Sequence, residues 1–103
     1  MTVKEFLRET YVKDEFCVRP KAICVDGFRI SIQASRFHYS CPRTMLEKGD
    51  YVCVELGFAN KKDELIEEYK DGPVYPYVPI EVAEELVASH GGIIPYFADK
   101  KAL

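Results

Sequence analysis

The sequence predicts an α+β domain: a small antiparallel sheet of about three strands, with two or three short helices packed on one face. Three observations carry that expectation. Asp26-Gly27 stands between two alternating runs, KAICV and FRISIQA, and this dipeptide in that setting is a strong hairpin signal. DYVCVELGF over 50–58 repeats the period-2 alternation of a half-buried strand. Thr2 with Glu5, and later Pro79, each open a stretch whose apolar residues recur at helical spacing. The chain of 103 residues reads as a single domain, 1–103, without internal repeats, low-complexity segments or a dividing linker.

Taken in order, a capping box of Thr2 and Glu5 followed by Val3, Phe6, Leu7 and Tyr11 predicts a helix over about 2–11. The hairpin comes next. A two-residue primed turn at Asp26-Gly27, with positive φ at both positions, sets Val25 against Phe28 and Ile23 against Ile30. Alternation then places Ile23, Val25, Phe28, Ile30 and Ile32 on the core face and Cys24 on the other. Residues 35–49 show no period and read as a long loop. In the 50–58 strand, Val52, Val54, Leu56 and Phe58 form the apolar face, while Tyr51, Cys53 and Glu55 point away.

KDELIEEYK (62–70) predicts a short acidic helix with Leu65, Ile66 and Tyr69 inward. DGPVYPYVP is extended, because three prolines deny it helix. Its Tyr-rich run VYPYVP could serve as a protein-contact patch, since tyrosine offers amphipathic area at low entropy cost. Its expected place, however, is packing between the last helix and the sheet. From Pro79, IEVAEELVASH forms that helix, with Val82, Ala83, Leu86 and Val87 on one side and Gly91-Gly92 as its left-handed cap. Ile93–Phe97 is expected to dock as a last extended piece, and DKKAL to fray.

Composition narrows the function classes. Hydrophobic residues make up 48% and charged residues 30%, which is ordinary for a folded domain. The charged start lacks the apolar region of a signal peptide, and no window approaches a membrane span, so a cytoplasmic protein is expected. Thiols stay reduced there, which makes the four cysteines thiols or metal ligands, not a disulfide framework. Charge is uneven along the chain. Residues 1–53 carry nine Lys/Arg against seven Asp/Glu, and residues 54–103 carry five against ten. Within 63–85, eight acids face one base, Lys70. Such a surface repels nucleic acid and attracts a basic protein.

Three constellations could carry chemistry. Cys24, His38, Cys41 and Cys53 offer the thiolate and imidazole ligands of a structural zinc site; His90 is a substitute ligand. The competing reading makes the cysteines small buried residues and His90 a helix-terminus cation. Cys41 near His38 could also be written as a nucleophile and base, but no third group or oxyanion hole is identified. No G-x-S-x-G, H-E-x-x-H or phosphate-cradling loop occurs, so an enzyme is not expected. Arg29, Arg36 and Arg43 with Phe37 and Tyr39 interleave cations and aromatics as single-strand binders do, a weak footprint in a chain of pI near 5.4.

The strings GFRISIQASRFHYSCPR (27–43), YVCVELGF (51–58), VYPYVPIEV (74–82) and HGG (90–92) together resemble a set of small proteins encoded by phages, prophages and mobile elements of Gram-positive bacteria. The resemblance runs from about residue 3 to 94. It implies no catalytic residues. It does imply a class: small acidic phage proteins resemble inhibitors of host defence, among them the type II anti-CRISPR proteins that bind Cas9, whose nucleic-acid surfaces are basic. On that reading the contact residues are Glu64, Glu67, Glu68, Glu81, Glu84 and Glu85. The alternative is a zinc-stabilised nucleic-acid-binding or accessory protein of a mobile element, working through Arg29, Arg36 and Arg43.

Overall fold

Thr2 and Glu5 cap one another: the Glu5 N–H donates to Thr2 Oγ1 and the Thr2 N–H to Glu5 Oε1, at 3.1 and 2.8 Å. They open helix α1 (Val3–Glu9), the first element of a computed structural model that describes residues 1–11 and 17–95. A helix this short needs tertiary support. It buries Val3, Phe6 and Leu7, and the Glu84 carboxylate accepts from the Val3 and Lys4 N–H groups at 2.7 and 3.1 Å.

The sheet has four strands among the described residues, one more than expected: β1 (Ala22–Ile23), β2 (Arg29–Gln33), β3 (Cys53–Gly57) and β4 (Val74–Pro79). They lie in the order β1-β2-β3-β4, and every neighbouring pair is antiparallel. The added strand is the proline-rich VYPYVP segment. Proline cannot donate to a ladder, and β4 is an edge strand, where that loss is tolerated.

The hairpin register differs by one residue from the predicted one. Ala22 pairs with Ile30 and Ile23 with Arg29, so Cys24 faces Phe28 across a three-residue loop. The Gly27 N–H donates to the Cys24 carbonyl at 2.9 Å, and only Gly27, at φ +93°, is left-handed; Asp26 is not. Asp26 Oδ1 instead accepts from the Phe28 N–H at 2.9 Å. This is the three-residue alternative for an Asp-Gly turn, and it flips the first strand. Ala22 and Cys24 enter the core with Phe28, Ile30 and Ile32, while Val25 is 67% exposed. The expectation that Cys24 shares the outer face with Cys53 is overturned by that slip.

In β3, Val54 and Leu56 point inward as expected, but Val52 and Phe58 are exposed and Tyr51 and Cys53 buried. The pleat holds only within Cys53–Gly57; Val52 precedes the strand, and Phe58 leaves it at φ +53°. The 62–70 helix contracts to one 3₁₀ turn, Glu67–Tyr69, with Ile66 in the core. Helix α2 (Ile80–Ser89) buries Ala83, Leu86 and Val87. It ends at Gly91 and Gly92, both left-handed, with the Gly92 N–H donating to the Val87 carbonyl at 2.8 Å. Ile93 then bridges Cys24, and the Ile94 N–H donates to the Ile23 carbonyl at 2.8 Å, which covers the β1 edge. The predicted docking of residues 96–97 and the fraying of the tail lie outside the described residues. α1 and α2 pack on the face that carries Ile30, Ile32, Val54, Leu56 and Val78.

Candidate functional site

The other edge of the sheet carries the most unusual local structure. Between Val54↔Val78 and Leu56↔Tyr75, two residues of β3 advance against three of β4. This is a bulge, and Pro76 and Tyr77 both stand opposite Glu55. Tyr77 adopts φ +53°, a left-handed conformation that costs a residue with a Cβ on the order of 1–2 kcal/mol. The twist turns its N–H away from the ladder to donate to the Tyr39 carbonyl at 3.0 Å. The Tyr39 N–H in turn donates to Glu55 Oε2 at 2.7 Å. Loop 35–43 is thereby fixed across the face opposite Val54 and Leu56.

The result is a cluster of uncovered rings. Tyr39 and Tyr77 meet with centroids 5.7 Å apart and planes tilted by 49°. The Arg43 guanidinium lies 5.2 Å from the Tyr39 ring centre and that of Arg36 4.7 Å from the Phe37 centre. Phe37, Tyr39 and Tyr77 are 54%, 45% and 44% exposed. Arg43 is oriented by carbonyls of its own loop, donating through Nε to His38 at 3.2 Å and through Nη2 to Arg36 at 3.5 Å. Phe37, Tyr39, Arg36 and Arg43 are legible as an interleaved string and VYPYVP as a Tyr-rich contact patch; what the sequence does not show is the bulge at Tyr77. Its left-handed backbone sits on a residue type that gives no turn signal.

Behind this cluster lies a disulfide. Cys41 and Cys53 are bonded, with Cα atoms 4.9 Å apart. Backbone hydrogen bonds frame it: the Cys41 N–H donates to the Cys53 carbonyl at 2.9 Å, and the Cys41 carbonyl accepts from Val52 at 2.8 Å. The expectation of four unbridged cysteines therefore fails for one pair.

Of the four expected zinc ligands only Cys41 and Cys53 meet, and they meet as a disulfide. Cys24 is buried in the core, and burial pushes its thiol up to about 11. His38 Nδ1 is 2.6 Å from Ser35 Oγ, and burial holds the imidazole pKa below its ordinary value. Among the described residues, no three His, Cys, Asp or Glu side chains converge as a metal site does.

The acidic candidates divide. Glu84 is engaged at the start of α1, as described, and Glu67 is half-buried beside Tyr75. Glu64, Glu68, Glu81 and Glu85 are exposed: Glu64 in the turn before the 3₁₀ helix, Glu68 within it, and Glu81 and Glu85 on α2. Glu64 approaches Lys62 at 3.8 Å, a surface pair of little energetic weight.

His90 has another place. Its ring stacks on Phe28 at 4.0 Å between centroids, with Nδ1 2.6 Å from Asp26 Oδ2 and Nε2 2.8 Å from Asp63 Oδ2. Partial burial opposes its charge, but the hydrogen bonds to the two aspartates outweigh that and raise its pKa. Arg19 is a second group whose role the sequence hid. It is buried, and donates to the Ala34 carbonyl at 2.6 Å, to Thr10 Oγ1 at 3.0 Å and to the Leu7 carbonyl at 3.3 Å. It ties α1 to the end of β2.

No helix among the described residues is long and apolar enough to cross a membrane. No protein-family model, curated protein or solved structure matches the chain.

Proposed function

We propose that this chain acts by binding, not turnover, as a phage- or mobile-element-encoded inhibitor in the bacterial cytoplasm, with Cas9 as its leading target. The observation that carries the binding reading is the Tyr39–Tyr77 pair: two exposed rings positioned by a bulged, left-handed residue. Such strain persists only where the surrounding structure imposes it, and it concentrates at ligand-contacting sites. Tyr, Phe and Arg are also the residues enriched where interfaces concentrate their energy. The exposed carboxylates Glu64, Glu68, Glu81 and Glu85 serve a different purpose on this reading. They accelerate encounter with a basic nucleic-acid-handling protein, and the aromatic face then holds it. The choice of target follows the resemblance to phage proteins and the charge, not the geometry.

The test is inhibition of Cas9 cleavage in vitro, with direct binding measured alongside. The parent should inhibit, and the Tyr39→Ser/Tyr77→Ser variant should not. A parent that neither binds nor inhibits Cas9 from a plausible host removes that target from the proposal.

A second reading has one observation in its favour. Guanidinium groups over aromatic rings also suit the bases and phosphates of single-stranded nucleic acid. Only Arg36 and Arg43 stand at the rings, Arg43 donates to two carbonyls of its own loop, and the chain is acidic overall. That is sparse for a mode whose affinity comes from several phosphate contacts. Salt-dependent binding of a labelled oligonucleotide, lost in the same tyrosine variant, would favour it.

A further inference from the structure

We propose that the Cys41–Cys53 disulfide is a redox clamp on the aromatic face, so that a dithiol reductant loosens the loop that presents Tyr39; this rests on reading that face as the contact surface. The placement is direct. Cys41 lies two residues after Tyr39 in the loop, and Cys53 pairs in register with Pro79, two residues beyond Tyr77. The disulfide thus ties the loop that carries Tyr39 to β3, whose ladder with β4 positions Tyr77 for the 5.7 Å ring contact.

The segment from 34 to 52 contains no helix or ladder of its own. Arg19 Nη1 donates to the Ala34 carbonyl at 2.6 Å and the Ile80 N–H to the Val52 carbonyl at 2.8 Å, while Arg36, Phe37 and Tyr39 between them are exposed. Apart from the disulfide and its flanking bridge, Tyr39 is held to the sheet by its bonds to Glu55 and Tyr77. Other anchors of the loop are turns within it, such as Ser35 with Ser40, or act beyond it, where Tyr51 Oη donates to the Thr44 carbonyl at 2.7 Å. Removing one covalent tie from a long loop restores conformational freedom that local hydrogen bonds oppose weakly.

Access and chemistry agree with exchange. Cys53 is buried and Cys41 only half-buried, so a thiolate reaches Cys41 Sγ first. It attacks that sulfur, the Sγ–Sγ bond breaks, and the electron pair leaves with Cys53 as a thiolate that takes a proton. The reductant's second thiol displaces Cys41 from the mixed disulfide. Two electrons and two protons pass from the dithiol to the protein, and the reductant ends as a disulfide. In a reducing compartment a disulfide is more often transient or sensing than structural.

The experiment needs no partner. Alkylation of the denatured, unreduced chain should leave Cys41 and Cys53 unlabelled, and label both only after dithiothreitol. Proton NMR of the full chain should show contacts between the Tyr39 and Tyr77 rings in the oxidised protein. These should disappear on reduction and be absent from Cys41→Ser/Cys53→Ser in either condition, while Ile30 and Leu86 methyl signals stay dispersed. Labelling of all four cysteines without reductant overturns the proposal, and so does a ring contact that survives reduction. Collapse of the core methyl dispersion on reduction also overturns it, since the bond would then serve the whole fold. With a binding partner in hand, affinity should fall at least about fivefold on reduction, the low end of coupling between two sites. Equal affinity in both states defeats the clamp alone; absence of any partner defeats only the binding reading.

Discussion

The two edges of the sheet solve the same backbone problem in opposite ways. At the β1 edge the chain reverses through Asp26 and Gly27, and the left-handed position falls on glycine, which bears it without strain. Ile93 and Ile94 cover the strand, and Asp26, Asp63 and His90 satisfy one another over Phe28. At the β4 edge the left-handed position falls on Tyr77, next to rings and guanidinium groups that face solvent. The first edge is closed and unstrained, the second open and strained. Phe58 is a second exposed aromatic at φ +53°, so what distinguishes the open edge is that its left-handed residue stands in a cluster with Tyr39, Arg36, Phe37 and Arg43.

The largest effect should come from the layer both edges share. Ile30→Ala removes a fully buried side chain and should lower stability by about 2–5 kcal/mol, whereas Arg29→Ala on the exposed side should cost under about 0.5 kcal/mol. Chemical denaturation of the two variants decides it, and equal losses would mean that the faces of β2 are misassigned.

At the closed edge, His90→Phe keeps a ring on Phe28 and deletes both aspartate contacts. The folded imidazole binds its proton more tightly than the unfolded one, whose ordinary value is 6.5. Its contribution is therefore full below that value and is lost as pH rises through the raised folded value. Thermal unfolding should show His90→Phe several degrees less stable than the parent at pH below about 6, with the gap narrowing as the solution becomes alkaline. A gap independent of pH would leave the clasp as packing only.

The open edge should answer in the other direction. Tyr77→Gly relieves the left-handed strain and should leave the midpoint unchanged or raise stability by up to about 1 kcal/mol, although it removes a ring contact. A clear loss of stability would make Tyr77 a structural residue and erase the contrast between the edges.

The closed edge was largely legible in the sequence and the open edge was not. Asp26-Gly27, the Thr2–Glu5 cap and the Gly91-Gly92 stop are local signals, read by the same backbone chemistry that produces them. What failed was register: Asp-Gly fits both a two-residue and a three-residue loop, and choosing the wrong one turned Cys24 and Val25 onto each other's faces. VYPYVP read as extended but not as a strand, because nothing local reveals that β3 has an edge for it to join. The bulge at Pro76 and Tyr77 depends on that pairing, so the Tyr39–Tyr77 contact became visible only in three dimensions. Glu84 shows the same limit in reverse, since its carboxylate meets α1 across 81 residues of sequence.

The central claim is that the aromatic face, not the acidic surface, holds the partner. It is tested most directly by measuring Cas9 affinity and association rate for the parent, for Tyr39→Ser/Tyr77→Ser, and for a charge variant with Glu64, Glu68, Glu81 and Glu85 changed to Lys. The tyrosine variant should lose about 2 kcal/mol or more of binding, mainly through faster dissociation. The charge variant should associate more slowly, and its deficit should shrink as salt is added. A tyrosine variant that binds like the parent, beside a charge variant that does not bind, would contradict the claim and return the contact to the carboxylates.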